Sequence, residues 1–149
     1  MTAGTLPRIL GLGTAAGALA LAVAVPQTAV ADTTYSVSPV GTWAVVTTED
    51  RGPQDGSITF NPDHTLELRA HNGPDGQPVF IGHGTWRTAG TDGLDYAFSH
   101  TIPGTPSGTA YVALHGTYGA TSFSAAGTTV RDYDNGTVQT VGITMTGTR

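Results

Sequence analysis

An all-β fold, a single eight-stranded antiparallel up-and-down barrel, is predicted by three features of the sequence. From Asp32 onward, apolar residues never recur at helical spacing. Short stretches instead alternate between apolar and polar side chains, the pattern of strands with one wet face. Glycine, proline, asparagine and aspartate gather between those stretches at short, regular intervals, which gives seven turns between eight strands. A two-sheet sandwich is the alternative architecture for such a pattern. Closure into a barrel has the advantage of removing the edge strands that invite aggregation.

The strands follow in order. Val40 to Thr48 places Trp43, Val45 and Thr47 on one face. Gly56 to Phe60 pairs Ile58 with Phe60, and Thr65 to His71 sets Leu66, Leu68 and Ala70 opposite Glu67, Arg69 and His71. Val79 to Arg87 is mixed, with Phe80 and Trp86 on one side and Val79, Ile81 and His83 on the other. Leu94 to Thr101 aligns Leu94, Tyr96, Phe98 and His100. Thr109 to Tyr118, Ser122 to Arg131 and Thr137 to Arg149 complete the eight. Between them, Asp55-Gly56, Asn72-Gly73-Pro74-Asp75-Gly76, Asp92-Gly93 and Asp134-Asn135-Gly136 supply residues that tolerate positive φ, as tight hairpins require. Asn61-Pro62-Asp63 and Pro103-Gly104-Thr105-Pro106 are turns in which proline withholds a ladder donor.

Residues 1–31 read as a secretory signal rather than as part of the domain. Arg8 provides one positive charge, Ile9 to Val25 is apolar and rich in Ala, Gly and Leu, and Pro26 ends the run. Ala29-Val30-Ala31 then offers the small-x-small pattern of a cleavage site, with the mature chain starting at Asp32. The expected domain, residues 32–149, is of ordinary single-domain size. It is exported, spans no membrane once the signal is removed, and has no cysteine, so its stability rests on burial rather than on disulfides.

The mature part carries five arginines, no lysine and eleven carboxylates, a formal charge of −6. Such a balance disfavours nucleic acid and anionic membrane surfaces, which call for clustered cations. Arg131 and Asp132 read as an ordinary ion pair at a strand end on the surface. Asn135-Gly136-Thr137 fits a glycosylation pattern and, equally, hairpin chemistry, which is the reading taken.

Gly41-Thr42-Trp43, Gly84-Thr85-Trp86 and Gly116-Thr117-Tyr118 form a faint repeat. A glycine beside a large ring lets a barrel strand bend while the ring covers the gap. With Gly41-Thr42-Trp43 opening the first strand and Arg149 closing the last, the chain resembles lipocalin-like barrels of the calycin group, in particular small secreted bacterial proteins of that type. The resemblance implies that Arg149 stacks over Trp43 and plugs one barrel end, a cation–π contact worth about 1 kcal/mol. Allene-oxide-cyclase-like barrels are a second resemblance, and they imply a cyclase or isomerase.

No strong catalytic signature is present. Gly-x-Ser-x-Gly, His-Glu-x-x-His and phosphate-cradling loops are missing, and without cysteine neither thiol catalysis nor a thiolate zinc cluster is expected. No cofactor is implied. The histidines, His64, His71, His83, His100 and His115, never stand two residues apart, so no metal site is expected. Tyr96 and His100 share a face with Leu94 and Phe98, and if inward they can orient a polar ligand group or act as acid and base. Tyr111 and His115 oppose Val112 and Leu114 and are expected outside.

The leading expectation is a barrel that binds a small, largely apolar molecule without chemistry, using Trp43, Trp86, Tyr96, Phe98 and His100. A cyclase or isomerase acting through Tyr96 and His100 is the second reading, and an envelope or interaction protein using its outer surface the third.

Overall fold

The computed structural model describes residues 37–71 and 77–149. The expected signal segment with its cleavage site after Ala31, residues 32–36 and the turn expected at Asn72–Gly76 lie outside them. Eight strands follow one another: β1 (Gly41–Glu49), β2 (Gly52–Phe60), β3 (Thr65–Ala70), β4 (Phe80–Ala89), β5 (Gly93–Ile102), β6 (Gly108–Tyr118), β7 (Ser122–Tyr133) and β8 (Val138–Thr148). Each pairs antiparallel with the next, and β8 returns to pair with β1, so the sheet is a closed barrel and not a sandwich. No helix occurs among the described residues.

The first hairpin differs from expectation. Asp55-Gly56 is no turn; it lies inside β2, opposite Val46 and Val45 of β1. The chain reverses at Asp50-Arg51 instead, and Gly52, at φ +99°, takes the left-handed backbone there. Gly56 answers a different need. A Cβ at this position would stand 2.5 Å from the carbonyl oxygen of Arg69 on β3.

Alternation fixes which residues enter the barrel, and their sizes divide its interior into two halves. At one end stand Trp43, Phe60, Trp86, Leu94, Tyr96, Tyr118 and Phe123, all buried. Their rings meet edge to face, with Trp43 and Phe123 centroids 5.4 Å apart, and Phe60 5.5 Å from Tyr96 and 5.8 Å from Trp86. Such pairs contribute about 0.5–1.5 kcal/mol each beyond the area they bury. All three rings of the Gly-Thr-aromatic repeat, Trp43, Trp86 and Tyr118, fall in this plug. The two indole N–H groups donate to backbone carbonyls outside the strands, Trp43 to Pro39 at 2.8 Å and Trp86 to Asn61 at 2.9 Å.

Both ends of the described barrel chain are fastened to this plug. The Arg149 guanidinium lies 4.1 Å from the centre of the Trp43 ring. It also donates to the carbonyls of Ala120, Val40 and Ser38 at 2.9–3.0 Å, tying the β6–β7 turn and the lead-in to β1 together. The ring of Phe123 needs one missing side chain. A Cβ at Gly147 would stand 2.0 Å from it.

Gly147→Ala is therefore expected to lower stability by about 1–3 kcal/mol through overpacking. Adding Phe123→Leu, which shrinks the ring it strikes, should make the loss smaller than the sum of the two single changes. Urea titrations of the two single variants and the double variant check this, and strict additivity would count against the contact.

Candidate functional site

The other half of the barrel is hollow because its inward positions are small. Gly56, Ala70 and Ala110 line it where the opposite end carries rings. What remains is a cavity of about 380 Å³, within the usual range for small-molecule sites. Its apolar wall includes Val45, Leu68, Phe80, Phe98, Val112 and Ile143. It lies at the end that carries the β1–β2 and β5–β6 turns, where Gly52, Pro53 and Pro103 contribute to the lining.

One side of this cavity is polar, built by three adjacent strands and the first hairpin. The register sets His100 of β5 beside Ala110 of β6, and Ala110 beside Arg131 of β7. Arg131 thus belongs inside, not to a surface pair with Asp132, and only 4% of it is exposed. It reaches across to the first hairpin, where its guanidinium donates to Glu49 at 2.5 Å and to both oxygens of Asp50 at 2.7 and 3.2 Å. Thr129, fully buried one step along β7, donates its hydroxyl to the other Glu49 oxygen at 2.5 Å. The Asp50 hydrogen bond pushes the guanidinium further up from its already high pKa, and the same bond holds the Asp50 carboxyl below its ordinary value.

His100 is half-buried. Its ring stacks on Phe80 with centroids 3.7 Å apart and planes 11° from parallel, and Phe98 lies 6.5 Å away. The ring Nδ1 stands 2.9 Å from the Thr101 carbonyl. A carbonyl only accepts, so Nδ1 carries the proton and donates. In the neutral imidazole Nε2 is then an acceptor, and it has no hydrogen-bond partner among the described residues. Burial holds the His100 pKa below its ordinary value of 6.5, outweighing the attraction of Glu49, so the neutral form prevails at pH 7.

Of the residues singled out in the sequence, Phe98 and His100 line the cavity. Trp43, Trp86 and Tyr96 stand in the aromatic plug instead. The Tyr96 hydroxyl donates to Met145 Sδ at 3.3 Å, and burial pushes its pKa up. Tyr96 and His100 share a strand face without sharing the cavity. Tyr111 and His115 point outward, and His115 hydrogen-bonds Asp95, which also pairs with Arg87 at 2.9 Å. No cluster of three metal-ligating side chains occurs among the described residues.

The polar wall escaped the sequence reading. Strand parity carried the signal, since Arg131 falls on the same face as Phe123 and Ala125. Its partners lie about eighty positions away in a hairpin that the sequence reading misplaced.

Fold and cavity together define a closed eight-stranded antiparallel barrel with one filled end and one hollow end. No protein-family model matches the chain, and comparison with curated proteins finds none that matches. Among solved structures it is similar to EF1p2_mFAP2b bound to DFHBI, at 26% identity and a TM-score of 0.54, over 74% of this chain and 92% of that one. A redesigned beta barrel, mFAP1, also bound to DFHBI, aligns at 25% identity and a TM-score of 0.47, over 74% and 94% of the two chains.

Removing Arg131 would leave the Glu49 and Asp50 carboxylates in the wall without their cation. Arg131→Ala is expected to cost about 1–3 kcal/mol, since the carboxylates it leaves unpaired are partly open to solvent, Glu49 by about a fifth and Asp50 by about half. Arg131→Lys should restore only part, because one ammonium cannot bridge two carboxylates as a guanidinium fork does. Chemical denaturation of both variants measures it. The pH dependence has a definite sign. Folded His100 binds its proton more weakly than the unfolded chain does, so its contribution to stability is complete above 6.5 and is lost as pH falls through that value and the lower folded one. Between about pH 7 and pH 5 the denaturation midpoint should fall, and His100→Gln should flatten that part of the curve.

Proposed function

We propose that this protein binds a small, largely apolar molecule in the hollow end of its barrel, without transforming it, and that it acts outside the cell. The observation that carries the reading is the cavity itself. About 380 Å³ is retained by small inward residues, in a domain whose other half is filled with rings. Natural interiors are close-packed, and a void of this size in a small barrel forgoes dispersion contacts that a ligand restores.

Support comes from the structural neighbour as well. EF1p2_mFAP2b, similar over most of this chain, was solved bound to DFHBI. Binding is favoured over turnover because the Tyr96 phenol lies in the plug, apart from His100, so the acid–base pair is not assembled around the cavity. Export rests on residues 1–31, with their apolar run and Ala29-Val30-Ala31. The lipocalin-like reading rests on the barrel together with the Arg149 contact to Trp43.

Native mass spectrometry of the protein recovered from its host's culture medium tests these points together. The expected mass is that of Asp32–Arg149 plus a small molecule that is released on unfolding. Ala110→Phe, which fills the gap between His100 and Arg131, should lose that added mass while keeping the barrel's circular dichroism. A bare mass for the parent protein, or an adduct that Ala110→Phe retains, would overturn the assignment of binding to the cavity. A chain found only inside cells would overturn export.

A further inference from the structure

A buried arginine in the wall of an apolar cavity ordinarily reads as a hook for an anion, and carboxylate ligands would be the first guess. The hydrogen bonding here argues the other way. Arg131 is already engaged by two carboxylates, with both oxygens of Asp50 and one of Glu49 on its guanidinium. One cation against two anions leaves the group with a net charge of −1. Arg51 and Asp55, the other ionic side chains of the lining, are one cation and one anion and cancel, and His100 adds no compensating charge while neutral.

The free hydrogen-bonding capacity has the same sign. His100 offers Nε2 as an acceptor, because Nδ1 is spent on the Thr101 carbonyl. Glu49 lines the cavity, accepts one hydrogen bond on each oxygen and keeps about a fifth of its side chain exposed. A carboxylate can accept up to about four hydrogen bonds, so lone pairs remain on it. Gln54 and Thr47, also in the lining, are neutral and can serve either role. Arg51, the remaining cation of the lining, is exposed at the hairpin and donates to the Tyr133 hydroxyl at 3.2 Å. The cavity therefore holds acceptors and negative charge beside an apolar wall in which the Phe80 and Phe98 rings flank His100.

From this arrangement we infer that the cavity selects ring-bearing ligands whose polar head is a protonated amine, held by Glu49 and His100 Nε2, and that it discriminates against carboxylates. A flat apolar body would lie among Phe80, Phe98 and Val112. A carboxylate head would meet like charge at Glu49 in a site of low dielectric, where such opposition costs far more than it does in water. This inference rests on the proposed binding function and deepens it by naming the chemistry of the ligand.

The test uses the purified full chain and four matched naphthalenes: 2-naphthylmethylamine, 2-naphthalenemethanol, 2-naphthoate and 2-methylnaphthalene. Calorimetry at pH 7 reads their affinities. The amine is expected to bind at least about tenfold more tightly than the carboxylate, with the alcohol between them. Glu49→Gln, which keeps the hydrogen-bonding shape and removes the charge, should bring the amine-to-carboxylate ratio toward unity. The ratio is taken within one variant, so a general change in stability does not move it. Naphthoate binding as well as the amine in the parent protein would overturn the inference and leave small-molecule binding standing. So would a ratio that Glu49→Gln leaves unchanged. Failure of all four probes to bind would count instead against the binding function itself.

Discussion

The contact between Arg149 and Trp43 holds the rest of the molecule in place. A barrel of antiparallel neighbours has one seam that no hairpin joins, here between β1 and β8. The guanidinium from the end of β8 lies on the indole of β1 and bonds the carbonyls that lead into that strand. With the seam fastened, Trp43 is held at 0% exposure and becomes the anchor for Phe123, which in turn meets Phe60 and Tyr96. Aromatic packing is thus concentrated at one end. The opposite end can forgo close packing and remain hollow.

The cavity's polar wall is consistent with that division of labour. Burying an arginine and a glutamate costs several kcal/mol of desolvation for each ion, which close pairing offsets only when the geometry is good. Thr129 and Asp50 supply the extra hydrogen bonds, and no fully buried side-chain nitrogen or oxygen among the described residues lacks a partner. An apolar set of the same volume would serve stability at least as well. Retaining charge there is what a site for a polar ligand group requires, and it agrees with the binding function proposed for that half of the barrel.

Much of the architecture was legible in the sequence, and for a physical reason. Side chains alternate strictly across a strand, so Leu66, Leu68 and Ala70, or Leu94, Tyr96 and Phe98, declare their face without knowledge of their neighbours. Turns such as Asp134-Asn135-Gly136 are similarly local, with Gly136 at φ +83° and its amide bonded to Tyr133. Depth along the barrel was harder to read. Tyr96 and His100 sit on one face four residues apart, yet one is in the plug and the other at the cavity, because their surroundings are set by β4, β6 and β8. The Asp55-Gly56 pair looked like a turn and proved to be a strand crowded by β3. Arg131 looked like a surface residue because nothing near it in sequence announces Glu49 and Asp50.

The seam also governs when this chain can become a barrel. Hairpins from β1–β2 to β7–β8 are short-range and can form piecemeal, but the β1–β8 register pairs Ala44 with Thr148, across nearly the whole domain. Until β8 is in place the sheet is an open ribbon with two raw edges, and the rings of the plug have no lid. Topologies dominated by such distant pairings fold slowly, since the loop-closure entropy is lost before the contacts are gained. Closing the β1–β8 seam is therefore expected to come last, and until it does β1 presents one unpaired edge of the kind that invites association.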